Sequence, residues 1–490
     1  MLTMLLAWWV GVGQATPEPL PPAPRNAGFE EVTATGGFTG WVFDKHDPNS
    51  DYRVEAGEGS AGKGAHLYRA SGDAADGASL IQFVDAAAFR GKLVRFSARV
   101  AVSKPGAHAG LGMAVIRPKP KYAGFRYGMD DKSLQAGAWR EVAIVGRVAR
   151  EATQINLTID IRGDADIIVD EVKLEAVTPD AKPPSAEAKA YLESAIALIQ
   201  ANHIDSAKAD WARVSADAHA DIGGAVTPGD THNAIRGILG ALGEKHSFLR
   251  PPLPVKPATA GTVAGAPHAA PPLPTSELVD NRYGVIRLPG LNTFAAGGNE
   301  LGELYRRIIR DALLNMDAQP ICGWVVDLRD DTGGNMWPML HGLDPLLGAA
   351  PFGSFIDPKG AVTIWQRTAS GMAPLPEQPR ALPPSYVLAH ADAPVAVLIG
   401  PRTASSGEMT AMALIGRANV RTFGEPSGGY TTGNSAFPLS DGALLVLTGV
   451  FVRDRTGKEY RDAIQPDVKT MAADAQAEAI RWLAARCPKS

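Results

Sequence analysis

Hydrophobic and polar residues alternate through the first third of the chain. Leu93, Val94, Phe96, Ala98 and Val100 fall mostly on every second position, as do Ile155, Leu157 and Ile159, and the run Ile167-Ile-Val-Asp-Glu-Val-Lys-Leu174 closes the region. A period of two in short runs split by Gly, Asp and Asn predicts half-buried antiparallel strands, and so an all-β sandwich over residues 26–177. The pattern changes after the boundary at Pro179–Pro184. Ser185 opens a helix start, Leu192, Ile196 and Ile199 recur at helical spacing, and further helical stretches follow around Trp211 and from Ala234 to Leu242. Residues 185–250 are therefore expected to form a helical subdomain. The Pro- and Ala-rich stretch 251–279 has no core-forming period and reads as a linker or covering loop. Beyond it, strand-like runs at 284–288, 323–328, 395–399 and 444–447 alternate with helical stretches at 298–316 and 406–415. That alternation predicts an α/β core over 280–475, followed by a helix or tail over 476–490.

The first 15 residues are one apolar run too short to span a bilayer, and Val12-Gly-Gln-Ala15 has the small residues of a signal cleavage site, although a basic leading region is missing. With the Pro-rich linker at 16–25, this predicts export to the periplasm or outside the cell. No later segment reads as membrane-spanning. The 48 basic and 52 acidic residues leave a net charge of -4 with no basic stripe, which argues against nucleic acid as a partner. Cys322 lies in an apolar run and Cys487 near the end. Their number and spacing do not suggest a metal site, and they leave room for a single disulfide.

Chemistry concentrates in two segments. In Val395-Ala-Val-Leu-Ile-Gly400-Pro-Arg-Thr-Ala-Ser405-Ser406-Gly407-Glu408, an apolar strand runs through a turn of small residues into a helix. A hydroxyl is thereby placed at a helix N-terminus, where free N–H groups and the helix dipole can stabilise an oxyanion. A plain N-cap serine is the structural alternative. Earlier, Trp324-Val-Val-Asp327-Leu-Arg-Asp-Asp-Thr-Gly333-Gly334 is another strand ending in a Gly-Gly turn, whose amides can point at a substrate carbonyl. Glu408 reads as a first-turn acid favoured by the dipole.

Taken in order, Asp327-Leu-Arg-x-x-x-Gly-Gly, Thr403-Ala-Ser405-x-x-Glu408, Gly416-Arg-Ala-x-Val420 through Gly424-Glu-Pro426, and Pro466-Asp-Val468 resemble the signatures of the S41 serine peptidases: the tail-specific (C-terminal processing) proteases, the interphotoreceptor retinoid-binding proteins and the tricorn core. The likeness spans roughly 185–475 and implies a crotonase-like/Clp-like ββα superhelix with a helical subdomain; the gap between Phe248 and Tyr283 is too short and too Pro-rich for the PDZ domain that some members insert there. It implies Ser405 as nucleophile, Ser406 being the runner-up. The N–H of Ser406 and that of Gly334 or Gly333 would form the oxyanion hole. One branch of the family activates its serine with a lysine 25 positions downstream, where this chain has Tyr430. The tricorn-like branch uses a histidine, and Gly243-Glu-Lys-His246-Ser-Phe248 resembles its motif. His246 is then the implied base, with Glu459, one position off the family register, or Asp462 to orient it. The implied function is hydrolysis of peptides or unfolded proteins through an acyl-enzyme, with no cofactor or metal. The alternatives are a catalytically weak or inactive binding protein on the same fold and a carbohydrate-associated hydrolase. The sandwich, opening on Asn26-Ala-Gly-Phe29-Glu30 and ending on Val169-Asp-Glu-Val-Lys-Leu174, resembles the galactose-binding-like jelly rolls. That likeness implies carbohydrate or cell-envelope contact. Trp41, Trp139 and Tyr122 are either a stacking platform or core and rim aromatics.

Overall fold

The computed structural model describes residues 19–71, 77–118, 124–129, 133–252, 271–293, 297–369, 371–376 and 382–487. The signal-like segment at 1–15, Tyr122 and most of the 251–279 stretch lie outside the described residues. The described chain forms two compact units, one from the residues after 270 apart from Ser435–Thr448, the other from the earlier residues together with Ser435–Thr448.

The alternating runs of the earlier unit are strands in two five-stranded sheets. One is ordered Val42–Lys45, Gly77–Asp85, Gln154–Arg162, His108–Ile116, Gly124–Gly128; the other is Tyr52–Glu58, Lys63–Arg69, Asp166–Val177, Leu93–Lys104, Gly137–Arg147. Their pairings are antiparallel, and Ile159 lies opposite both Leu80 and Leu111. Because side chains alternate across a strand, Ile155, Leu157, Ile159 and Ile161 all reach one core, where they meet Phe96, Ala98, Val100, Ile167 and Val169 of the second sheet. Trp41 belongs to that core: its ring lies 5.1 Å from Phe29 and its N–H reaches Asn26 O at 3.4 Å. It is not a stacking platform.

Helices Ala186–Asn202, Trp211–Asp221 and His232–Leu242 follow, the first capped by Ser185 Oγ, which accepts from Ala188 N at 3.0 Å. Their apolar faces share a core with Leu439, Leu445 and Leu447, and Leu444–Val446 pairs with the short strand Phe248–Arg250. Asp221 accepts from Arg147 at 2.6 and 3.0 Å, Asn233 Nδ2 donates to Val145 O at 3.1 Å, and the Arg117 guanidinium donates to Gly240 O. The helices expected as a subdomain of the α/β region are thus packed on the sandwich.

The other unit is built on a six-stranded sheet, in which Tyr283–Arg287, Gly323–Asp327, Val395–Ile399, Val420–Gly424 and Val468–Lys469 run parallel. Thr275–Val279 pairs antiparallel at its edge, so the last part of the expected linker is a strand that completes a sheet. Val395–Ile399 is apolar throughout because both faces are covered. Val395, Val397 and Ile399 pack with helices Gly298–Asp317 and Ser406–Leu414, while Ala396 and Leu398 pack with the C-terminal helix Ala475–Ala484. Cys487, just after that helix, is disulfide-bonded to Cys322. A second, antiparallel layer pairs Gly353–Ile356 with Val362–Thr368 and with Phe451–Asp454.

Candidate active site

Gly323–Asp327 and Val395–Ile399 are adjacent parallel strands, with Asp327 opposite Leu398. Their following loops leave the sheet together at its carboxyl edge, where open α/β sheets bind ligands. Backbone and hydroxyl bonds join the loops. Thr403 Oγ donates to Leu328 O at 2.8 Å and accepts from Gly400 N at 2.9 Å, and Ala404 N donates to Asp331 O at 2.9 Å.

Ser405 precedes the Ser406–Leu414 helix with φ 52° and ψ -116°. This backbone conformation is strained for an L-residue, costing about 1–3 kcal/mol, and persists only where surrounding bonds over-determine it. The turn leaves Ser405 partly exposed and buries Ser406. The Ser406 hydroxyl is committed, donating to Gly334 O at 2.6 Å. The glycines are needed at both positions, with φ 103° at Gly333 and 120° at Gly334. A Cβ on Gly333 would lie 2.8 Å from Ser405 Cβ, and one on Gly334 1.9 Å from Leu291 O. The amides of the pair differ. Gly333 N–H donates to Asp331 Oδ1 at 3.0 Å, whereas among the described residues Gly334 N–H has no partner. Ser406 N–H, at the first helical position, has no intrahelical acceptor.

Glu408 is fully buried beneath the turn. Its Oε2 accepts from Ser405 N at 3.0 Å and from Tyr430 N at 2.7 Å; its Oε1 accepts from Gly429 N at 2.7 Å and from the Ser427 hydroxyl. Burial nevertheless raises its pKa to about 7, against the pull of these bonds. Glu408, which its sequence position alone presents as a first-turn acid, is instead the acceptor for the turn and for the segment after it. The S-x-x-E spacing, a helix-start signature in which the acid reaches back to the preceding amide, was the available signal. Asp331 is also fully buried: burial pushes its pKa well up, and its Oδ2 has no partner among the described residues. Nothing in the sequence separates it from the exposed Asp330.

His246 is buried in the loop after the third helix of its unit, and its N–H and that of Ser247 donate to the Glu244 carboxylate. Burial raises the Glu244 pKa. Glu459 lies in the other unit, where Arg453 reaches it at 3.1 Å and Arg461 at 2.6 Å. Asp462 is exposed. The structure therefore brings Ser405, Ser406, Gly333 and Gly334 together within one unit, and puts two arginines on Glu459.

Over 162 residues, the chain is 36% identical to a nisin-resistance protein of Lactococcus lactis subsp. lactis, an alignment covering 33% of this chain and 49% of the relative. It is 26% identical over 176 residues to the chloroplastic carboxyl-terminal-processing peptidase 2 of Arabidopsis thaliana, covering 36% of this chain and 29% of that protein. The chain thus spans half or less of the length of these curated relatives. A lipoprotein structure from Streptococcus agalactiae superposes with a TM-score of 0.50 at 23% identity, covering 62% of this chain and 98% of that one, a likeness of fold. Residues 282–470, which hold the strained serine, the glycine pair and the buried glutamate, match the profile of peptidase family S41, and the C-terminal region of this chain is a peptidase family S41 domain.

Proposed function

We propose that the protein is a serine peptidase that hydrolyses peptides or unfolded proteins through an acyl-enzyme on Ser405. The carrying observation is the Ser405 turn: a strained, partly exposed serine packed against Gly333, next to a Ser406 whose own hydroxyl is tied to Gly334. Ser405 Oγ attacks the scissile carbonyl, and the tetrahedral oxyanion is held by Ser406 N–H and Gly334 N–H, the amide of the glycine pair that is not already spent. His246 takes the serine proton and returns it to the leaving amine. The ring-orienting part falls to Glu459, which Arg453 and Arg461 reach at 3.1 and 2.6 Å. The jelly-roll and crotonase-like names for the two units belong to this reading. A place outside the cytoplasm is supported by the Cys322–Cys487 disulfide, since such bonds persist in oxidising compartments. With Trp41 in the core, no sugar-binding role is proposed for the sandwich.

The test is labelling by a fluorophosphonate together with cleavage of an unstructured peptide. Ser405→Ala should abolish both, Ser406→Ala should retain labelling, and His246→Ala should lower kcat by on the order of 10³-fold or more. Labelling that survives Ser405→Ala and is lost in Ser406→Ala moves the nucleophile to Ser406, whereas a native protein that never labels rejects the hydrolase reading and leaves a binding protein on this fold. Unchanged kcat in Glu459→Gln removes that residue from the scheme.

A further inference from the structure

Glu408 meets only donors. Three are backbone amides, and the fourth is the Ser427 hydroxyl, which also accepts from Ile464 N at 2.7 Å. Four donors and no acceptor suit a carboxylate. Protonation on Oε2 would set an O–H against the Ser405 and Tyr430 amides, and protonation on Oε1 would reverse the Ser427 bond, so only the ionised form accepts all four as they stand. One donor is the Ser405 amide, and two others, Gly429 and Tyr430, belong to the segment after the Val420–Gly424 strand. The carboxylate thus ties that segment directly to the peptide group whose rotation sets the Ser405 φ of 52°.

We propose that Glu408 is a positioning residue for Ser405, and that its ionised form clasps the 427–430 segment to hold the nucleophile in its strained, reactive turn. This rests on the serine-hydrolase reading above. Protonation loosens the clasp, and Ser405 relaxes toward an ordinary backbone conformation in which its hydroxyl is misplaced. Acylation therefore carries a proton dependence of its own, additional to that of the base. The titratable groups on elements packed around Glu408 are Asp331 in the loop bonded to Ala404, Tyr430 in the clasped segment, and Asp462, whose carbonyl accepts from Thr431. The first cause of the Glu408 shift is burial.

A merely structural carboxylate would move stability and activity together; a positioning one separates them. With its folded pKa raised to about 7, Glu408 contributes stability that is fully present below the ordinary carboxylate value and lost as pH rises through about 7. Acidification therefore weakens acylation without unfolding through this group. The experiment measures the fluorophosphonate acylation rate and the Tm of the full chain between pH 5 and 9, for the native protein, Glu408→Gln and Ser427→Ala. On a log scale the native rate is expected to fall below about pH 7 with a slope approaching two, one proton for the base and one for Glu408. Glu408→Gln should acylate at least about 10-fold more slowly at pH 8, with a slope of one. Ser427→Ala removes a donor to the ionised form and should move the acid limb to higher pH. Native rate and slope in Glu408→Gln overturn the inference. If that variant fails to fold, an acid limb unmoved in Ser427→Ala overturns it. A native protein that does not label at all takes down the hydrolase reading and this inference with it, whereas labelling with indifferent variants takes down this inference alone.

Discussion

Gly333→Ala tests the geometry of the site most directly. The new methyl carbon would stand 2.8 Å from Ser405 Cβ and 3.4 Å from its Oγ. Unbonded carbons rest about 3.5–4.0 Å apart, so Ser405 or the glycine turn must retreat by roughly 1 Å. The backbone at φ 103° adds about 1–3 kcal/mol of strain for alanine. A displacement of about 1 Å at a nucleophile costs on the order of 10²-fold in rate, or about 2.7 kcal/mol of barrier. The expected result is a folded protein, less stable by about 1–3 kcal/mol, whose kcat/KM on an unstructured peptide is down about 10²-fold. Gly400→Ala is the matched control, because its methyl would meet only Arg329 Cγ at 3.9 Å, an ordinary contact. Both variants are assayed by peptide cleavage, fluorophosphonate labelling and denaturant unfolding. A Gly333→Ala enzyme that keeps more than about a tenth of native kcat/KM would show that the serine does not act from this turn.

Asp331→Asn keeps an acceptor for Gly333 N–H and removes a carboxyl whose pKa burial raises. A raised folded value means stability fully present below the ordinary carboxylate pKa and lost as pH rises through the folded one. The variant should therefore gain in Tm relative to native at pH 8 and not at pH 4; an equal Tm difference at both would refute the shift. The Cys322–Cys487 bond closes a separation of 165 residues, for which chain entropy gives about 5 kcal/mol. Reductant or Cys322→Ser should lower Tm and fray the Ala475–Ala484 helix in hydrogen exchange, and an unchanged Tm would mean the thiols are not paired in solution.

The sandwich strands were legible because the alternation at Ile155, Leu157 and Ile159 has one physical cause, a face turned to a core. Thr275–Val279 was not, because an edge strand that pairs through backbone on one side needs no apolar period, and its Thr-Ser-Glu opening looks like linker. Arg147, Asp221 and Asn233, which bond the helices to the sandwich, are residue types that along a sequence are indistinguishable from a solvated surface. At the site, the order of small residues around Ser405 and the glycine pair was readable, since strand, turn and helix each leave a local signature. What could not be read is which amide of the glycine pair is already taken. That depends on the Asp331 carboxyl folding back two residues, a matter of side-chain direction rather than of pattern.

Tyr430 stands where one branch of the resembling family has its lysine, and the bonds around Glu408 show what this exchange leaves intact. The 427–430 segment gives the nucleophile turn two backbone amides and one serine hydroxyl, all through Glu408, and Tyr430 takes part with its N–H. These bonds run through backbone at 429 and 430 and do not require a lysine side chain at 430. On the proposed mechanism the base then comes from elsewhere. Of the lysines that follow Ser405, Lys458 lies 4.7 Å from the Tyr460 ring, in the hairpin that also carries Glu459, and Lys469 ends a short strand at the sheet's last position. His246, set in a loop whose amides are fixed by the Glu244 carboxylate, is the group whose removal decides the matter. Near-full activity in His246→Ala would leave the turn standing with another residue as its base, whereas a loss in kcat with unchanged Tm assigns the proton transfer to it.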